Sequence, residues 1–126
     1  MAFSISLTVR FRDLDPLGHV NNAVFLSYIE FARLEYLASL GVTDADKPSL
    51  LLARVEVDFK RPILMRDPVT VTANVTRVGT KSFGMHHDIT ASGELAASLE
   101  TVLVWYDHEL GQSQPVPDDV RAKFGF

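Results

Sequence analysis

Between Asn22 and Leu40 the chain places Phe25, Ile29, Ala32, Tyr36 and Leu40 at spacings of three and four, and carries few polar residues at all. This period predicts a helix, roughly 28 Å long at 1.5 Å per residue, with Gly41 as its C-terminal stop. Its polar residues, Ser27, Glu30, Arg33, Glu35 and Ser39, do not gather into one solvent stripe. A helix apolar on most sides is a buried one. In a chain of 126 residues, which is one domain spanning 1–126, the remaining segments must therefore be what covers it.

Those segments read as strands. From Phe3 to Arg12, Phe3, Ile5, Leu7, Val9 and Phe11 alternate with Ser4, Ser6, Thr8, Arg10 and Arg12, as in a half-buried strand. After a connection containing Asp44, Asp46 and Pro48, Val55, Val57 and Phe59 alternate with charged residues, and Val69, Val71, Ala73 and Val75 alternate with Thr70, Thr72, Asn74 and Thr76. Two further strands are expected near Lys81 to Thr90 and Leu95 to Tyr106, after turns at Gly79 and Ser92-Gly93. Links this short favour antiparallel neighbours. The tail predicts a short helix starting near Pro117. The fold class is thus α+β, a five-stranded antiparallel sheet wrapped around one long central helix. A single sheet covers one side of such a helix, so a second copy of the chain is the natural cover for the other and a homo-oligomer is expected.

Composition removes several classes of function. A formal charge of −4 argues against a nucleic-acid partner, which calls for a basic face. With no cysteine there is no disulfide framework, thiolate nucleophile or thiolate metal site. No apolar run approaches the length that spans a bilayer, and MAFSISLTVRF lacks the basic-then-apolar pattern of a leader, so no membrane partner and a cytoplasmic location are expected.

The helix entrance, DLDPLGHVNN, carries more polar chemistry than a turn requires. Pro16 and Gly18 make the turn, and Asn21 or Asn22 caps the helix. Asp15 and His19 are left unexplained. A carboxylate can attack an electrophilic carbon or take a proton from water. The first N–H groups of a helix are unpaired and lie at its positive end, where they can stabilise an oxyanion.

The string DLDPLGHVNNAVFLSYIEFARLEYL resembles the opening motif of the hotdog-fold acyl-CoA thioesterases of the 4-hydroxybenzoyl-CoA thioesterase family, and VEVDFKRPILMRDPVTV resembles that family's second and third strands. Together the two matches cover most of the chain. The resemblance implies a hotdog fold, an acyl-CoA substrate, hydrolysis to free acid and coenzyme A without cofactor or metal, and a dimer or tetramer. It implies Asp15 as base or nucleophile, because the acid precedes the glycine turn, and the backbone N–H of Asn22, seven residues later, as oxyanion donor. His19 stands beside Asp15 as a further catalytic candidate. Gly18, Phe25, Lys60 and Arg61 are the candidates for substrate contact, the two cations suiting the phosphates of coenzyme A.

Rival assignments rank lower. Asp13 is read as a turn or surface residue. His86, His87 and Asp88 suggest a metal triplet, yet adjacent strand residues point to opposite faces, so His87 is expected among Phe83, Met85 and Ile89 as a buried or pocket-lining histidine. Glu35 lies off the apolar row of the helix. Arg54, Arg66, Arg77 and Lys81 read mostly as solvated charges. Two other activities compete with hydrolysis: a hotdog hydratase or dehydratase, and a module that binds acyl-CoA without turnover.

Overall fold

The computed structural model describes residues 3–42 and 50–126. In chain order the elements are β1 (Phe3–Thr8), a 3-10 turn (Phe11–Asp13), α1 (Val24–Ser39), β2 (Leu50–Phe59), β3 (Pro68–Val78), β4 (Ser82–Ala91), β5 (Glu94–Asp107), β6 (Gln112–Ser113) and α2 (Asp118–Lys123). The sheet runs β1-β3-β4-β5-β2, every pairing antiparallel, with the short β6 added to the end of β5. Helix α1 packs across β3 and β1. The expected architecture is therefore present, with β6 as an addition too short for periodicity to register. The connection holding Asp44, Asp46 and Pro48 lies outside the described residues.

Helix α1 ends as its sequence predicts. Gly41 takes φ +77, its N–H bonds the Ala38 carbonyl at 3.0 Å, and the Val42 N–H bonds the Leu37 carbonyl at 2.9 Å. This is the double bond that a left-handed residue just past the helix makes possible, and it consumes two of the open carbonyls. The other end differs from expectation. The N-cap is Ala23, without a side-chain cap bond, and Asn21 instead accepts the Ala23 N–H at 2.8 Å in the turn before the helix.

Burial of α1 is also less uniform than its composition suggests. Phe25, Tyr28, Ile29, Ala32, Arg33 and Leu37 are buried, whereas Phe31 and Leu34 remain 48% and 56% exposed. The sheet covers one stripe, and the stripe opposite it stays apolar and open.

Strand β1 stops four residues before its alternation would end it. The Asp13 carboxylate accepts the Arg10 N–H at 2.9 Å, which bends the chain into the 3-10 turn. Phe11, expected on the core side, is consequently 82% exposed. Asp13, expected at the surface, is 3% exposed. A polar contact within three residues has overridden the period of two.

Candidate active site

A cleft of about 420 Å³ opens at the N-terminal end of α1, lined by Asp15, Leu17, His19, Val20, Asn22, Phe25, Phe59, Lys60, Arg61 and Pro62. Residues from the first loop and from the end of β2 meet here although some forty positions separate them in sequence. Clefts of about 520 and 600 Å³ flank β1 and contain neither Asp15 nor Asn22.

The loop that carries Asp15 is tightly tied. The Asp15 N–H bonds the His19 carbonyl at 2.7 Å and its own carbonyl accepts the Gly18 N–H at 3.0 Å, closing a turn in which Gly18 takes φ +84. That conformation is strained for any residue with a Cβ. A Cβ on Gly18 would meet nothing within 4 Å, so within the chain the glycine answers a backbone requirement. Gly18 does not line the cleft. Leu14 pairs with Val20 and His19 with Leu64, which fastens the loop to the segment following β2.

Within this frame the two oxygens of Asp15 differ. Oδ1 accepts the Leu17 N–H at 2.9 Å and the His19 N–H at 3.2 Å. Oδ2 has no hydrogen-bond partner among the described residues. One oxygen orients the carboxylate of this cleft-lining residue and the other is uncommitted. Asn22 shows the complementary feature: among the described residues its backbone N–H has no acceptor, while Asn21 and Val24 on either side are bonded, to the Asp13 and Asn21 carbonyls at 2.8 Å each. Two residues that line the same cleft thus offer an unengaged acceptor oxygen and a free N–H donor. His19 is half-buried, lines the cleft, and has its backbone engaged on both sides.

The walls are apolar at one end and cationic at the other. Phe25, 2% exposed, meets Phe59 edge to face with centroids 5.1 Å apart. Lys60 is exposed and makes no ion pair among the described residues. Arg61 is placed differently from Lys60, because its donors are spent within the fold. It bonds the Ala91 carbonyl at 2.6 Å, the Pro62 carbonyl at 3.1 Å and Asp67 at 2.9 Å. Asp67 is a hub in its own right: the Ser92 hydroxyl, the Leu64 N–H and Arg61 together hold its carboxyl below the usual range, outweighing its burial. Leu17, 79% exposed in the turn, and Pro62 also border the cleft. An unpaired leucine inside DPLGH was the one signal for the first, and nothing marked the second.

The rival residues sit elsewhere. His86 bonds Glu100 and Asp88 on the open face of the sheet. His87 points inward, is fully buried, and its Nδ1 lies 3.0 Å from the Thr72 carbonyl. The adjacent histidines diverge as the strand period requires. Glu35 is exposed on α1 and absent from the cleft.

Residues 9–124 match the family model described as the thioesterase-like superfamily. The chain belongs to this superfamily. A thioesterase of Thermus thermophilus, crystallised with coenzyme A and Zn, is 45% identical, superposes with a TM-score of 0.88, and is matched over 96% of this chain and 90% of its own. The long-chain acyl-CoA thioesterase FadM of Escherichia coli is 26% identical over 93% of this chain and 92% of its own. The 1,4-dihydroxy-2-naphthoyl-CoA hydrolase of Nostoc punctiforme is 27% identical over 95% and 84%. Against a longer relative, the chloroplastic acyl-acyl carrier protein thioesterase ATL3 of Arabidopsis thaliana, the chain spans 66% of the relative's length at 27% identity. With these neighbours the sheet-round-helix architecture is a hotdog fold.

Proposed function

We propose that this superfamily member hydrolyses acyl-CoA thioesters, with Asp15 as the attacking group or base and the Asn22 N–H as oxyanion donor. The observation that carries the reading is the asymmetry of Asp15, whose Oδ1 is held by two backbone N–H groups while Oδ2 is unengaged, in a cleft also lined by Asn22 with its free N–H. Attack on a thioester carbonyl moves charge onto its oxygen, and a preorganised N–H placed there is worth more in the transition state than in the ground state. Oδ2 either adds to the carbonyl carbon itself, giving an anhydride that water opens, or removes the proton from a water that adds. Both routes release coenzyme A as the thiol and consume one water. His19 stands beside the two groups and orients the carbonyl or the water.

The acyl group is assigned to the Phe25–Phe59 side, where apolar wall is available, and the coenzyme A phosphates to the cationic side. Lys60 holds a phosphate there, as its ammonium is free to turn. Arg61 serves by fixing the wall, since its guanidinium is already occupied. The cleft lies at the end of β2, a strand with an open outer edge, so a second copy pairing there would bring its own residues towards the same space. A homodimer or a tetramer of such dimers is the assembly this reading requires.

A thiol-release assay over short-chain, long-chain and aromatic acyl-CoA substrates tests the proposal. Release with at least one class supports it. A change in unsaturation without thiol release would assign a hydratase, and saturable binding without either product would assign a binding module.

A further inference from the structure

Asp13 is buried, yet it is absent from the cleft and takes no part in the reaction set out above. A carboxylate removed from water is tolerated only when its oxygens are met by donors. Here Oδ2 accepts the Tyr28 hydroxyl at 2.8 Å and the Arg10 N–H at 2.9 Å, and Oδ1 lies 3.5 Å from the Arg10 guanidinium. Tyr28 belongs to the buried stripe of α1, and burial, with the Asp13 carboxylate beside it, raises its pKa so that the phenol keeps the proton it donates.

The same residue reaches the candidate site through its backbone. The Asp13 carbonyl accepts the Asn21 N–H at 2.8 Å, and the Asn21 carbonyl accepts the Val24 N–H at 2.8 Å. Because a peptide group is planar with its carbonyl and N–H opposed, the second bond fixes the direction in which the Asn22 N–H points. Asp15 follows Asp13 by two residues on the same tether. Asp13 and Tyr28 themselves line the cleft of about 520 Å³ with Leu7, Val24, Ser27 and Phe31, so on this side their polar contact ties the loop to α1, in addition to the Val20–Ile63 and His19–Leu64 backbone contacts that tie it to the segment after β2.

We infer that Asp13 and Tyr28 are positioning residues: their buried hydrogen bond fastens the Asp13–Asn22 loop to α1 and so fixes Asp15 and the Asn22 N–H relative to each other. The inference rests on the hydrolytic reading for its effect on turnover, and on the geometry alone for its effect on the loop. Tyr28→Phe removes one hydroxyl and keeps the ring. Displacements of well under an ångström between reacting groups are costly, so kcat is expected to fall on the order of 10-fold with KM for acyl-CoA nearly unchanged. A hydroxyl that only stabilised the fold would lower the melting temperature and leave kcat intact well below it.

The experiment compares Tyr28→Phe and Asp13→Asn with Tyr36→Phe, which deletes another α1 hydroxyl, one placed 3.5 Å from the Val75 N–H and outside both clefts. Kinetics are paired with amide hydrogen exchange of residues 15–22 by NMR, which reports the loop whether or not the enzyme turns over. Faster exchange at His19 and Asn22 with a selective loss of kcat in Tyr28→Phe, and a smaller loss in Asp13→Asn because the amide oxygen still accepts, supports the inference. Tyr36→Phe is expected to behave as wild type. Unchanged loop exchange in folded Tyr28→Phe, or kcat within twofold of wild type, overturns it. Full activity in Asp15→Asn alongside a loosened loop would instead sink the catalytic reading and leave the anchoring standing.

Discussion

At Asp15 the decisive property is that two backbone donors occupy one oxygen and leave the other without a partner among the described residues. Asp15→Asn keeps the shape and can keep the Oδ1 contacts, so the variant is expected to fold with an unchanged circular dichroism spectrum. Its turnover should fall on the order of 100-fold or more, as when a base or nucleophile is removed, and by more than in Asp13→Asn. Near-wild-type thiol release would refute the assignment. A second residue-scale expectation concerns the adjacent histidines, which titrate in opposite senses. His87 is pushed down to about 4 by burial, with Arg33 on α1 and His86 adding to the shift and the Thr72 carbonyl and Asp88 opposing it. Its contribution to stability is complete above the ordinary histidine value and declines as pH falls towards that folded value, by about 3 kcal/mol in all. For His86, burial disfavours the charge, but Glu100 and Asp88 outweigh it and raise the pKa. That contribution is full in acid and lost as pH rises through the raised value, and solvent screening keeps it small. Urea midpoints should therefore drop from about pH 6.5 to about pH 4.5, and His87→Leu should flatten that slope.

Among the elements, the turn before α1 has the least room for change. Gly18→Ala places a Cβ at φ +84 without a steric clash, so its cost is conformational, about 1–2 kcal/mol, and is expected as a lowered melting temperature together with reduced kcat. The elements themselves were largely legible. Strands β3 to β5 follow the alternation of valines and threonines, and α1 follows the spacing from Phe25 to Leu40, because both periods are local consequences of backbone geometry. That Asp15, His19 and Asn22 line one cleft was foreshadowed on two grounds: turn and capping chemistry left Asp15 and His19 without a use, and the family resemblance pointed to Asp15 and the Asn22 N–H. What sequence could not show depends on contacts made across the fold. The end of β1 is decided by the Asp13 carboxylate capturing the Arg10 N–H. The burial of Asp13 depends on Tyr28, fifteen positions away, and the engagement of Arg61 on Ala91, thirty away. A residue type does not announce which carbonyl it will find.

For the whole molecule, β1 and β2 are the two edge strands of the sheet, and β2 is the one that borders the candidate site. Its outer side has no strand neighbour among the described residues, and Leu51, Leu52 and Phe59 are 44%, 41% and 49% exposed. Together with Phe31 and Leu34 on α1 they make an uncapped strand and an apolar stripe of the kind that pairs with another copy. Sedimentation at micromolar concentration is expected to give a dimer or tetramer, and a monomer would contradict both the packing argument and a shared site. Activity is expected to survive dialysis against EDTA, since in the proposed mechanism Asp15 and the Asn22 N–H between them supply attack and oxyanion stabilisation. Loss of activity restored by zinc would assign a metal role, a test given point by the Zn in the Thermus thermophilus crystal. The strand order also bears on how the chain acquires its shape. Among the described residues β1 pairs only with β3, β2 pairs only with β5, and α1 leans on β3, so each N-terminal element finds its partner in the C-terminal half. The β3-β4-β5 meander is joined by tight hairpins and closes the shortest loops, which makes it the early-forming part of the molecule. During synthesis the apolar helix and the Asp15 loop leave the ribosome first and have no sheet to fold against until β3 and the strands after it arrive. The half of the protein that carries the candidate chemistry is the half that waits.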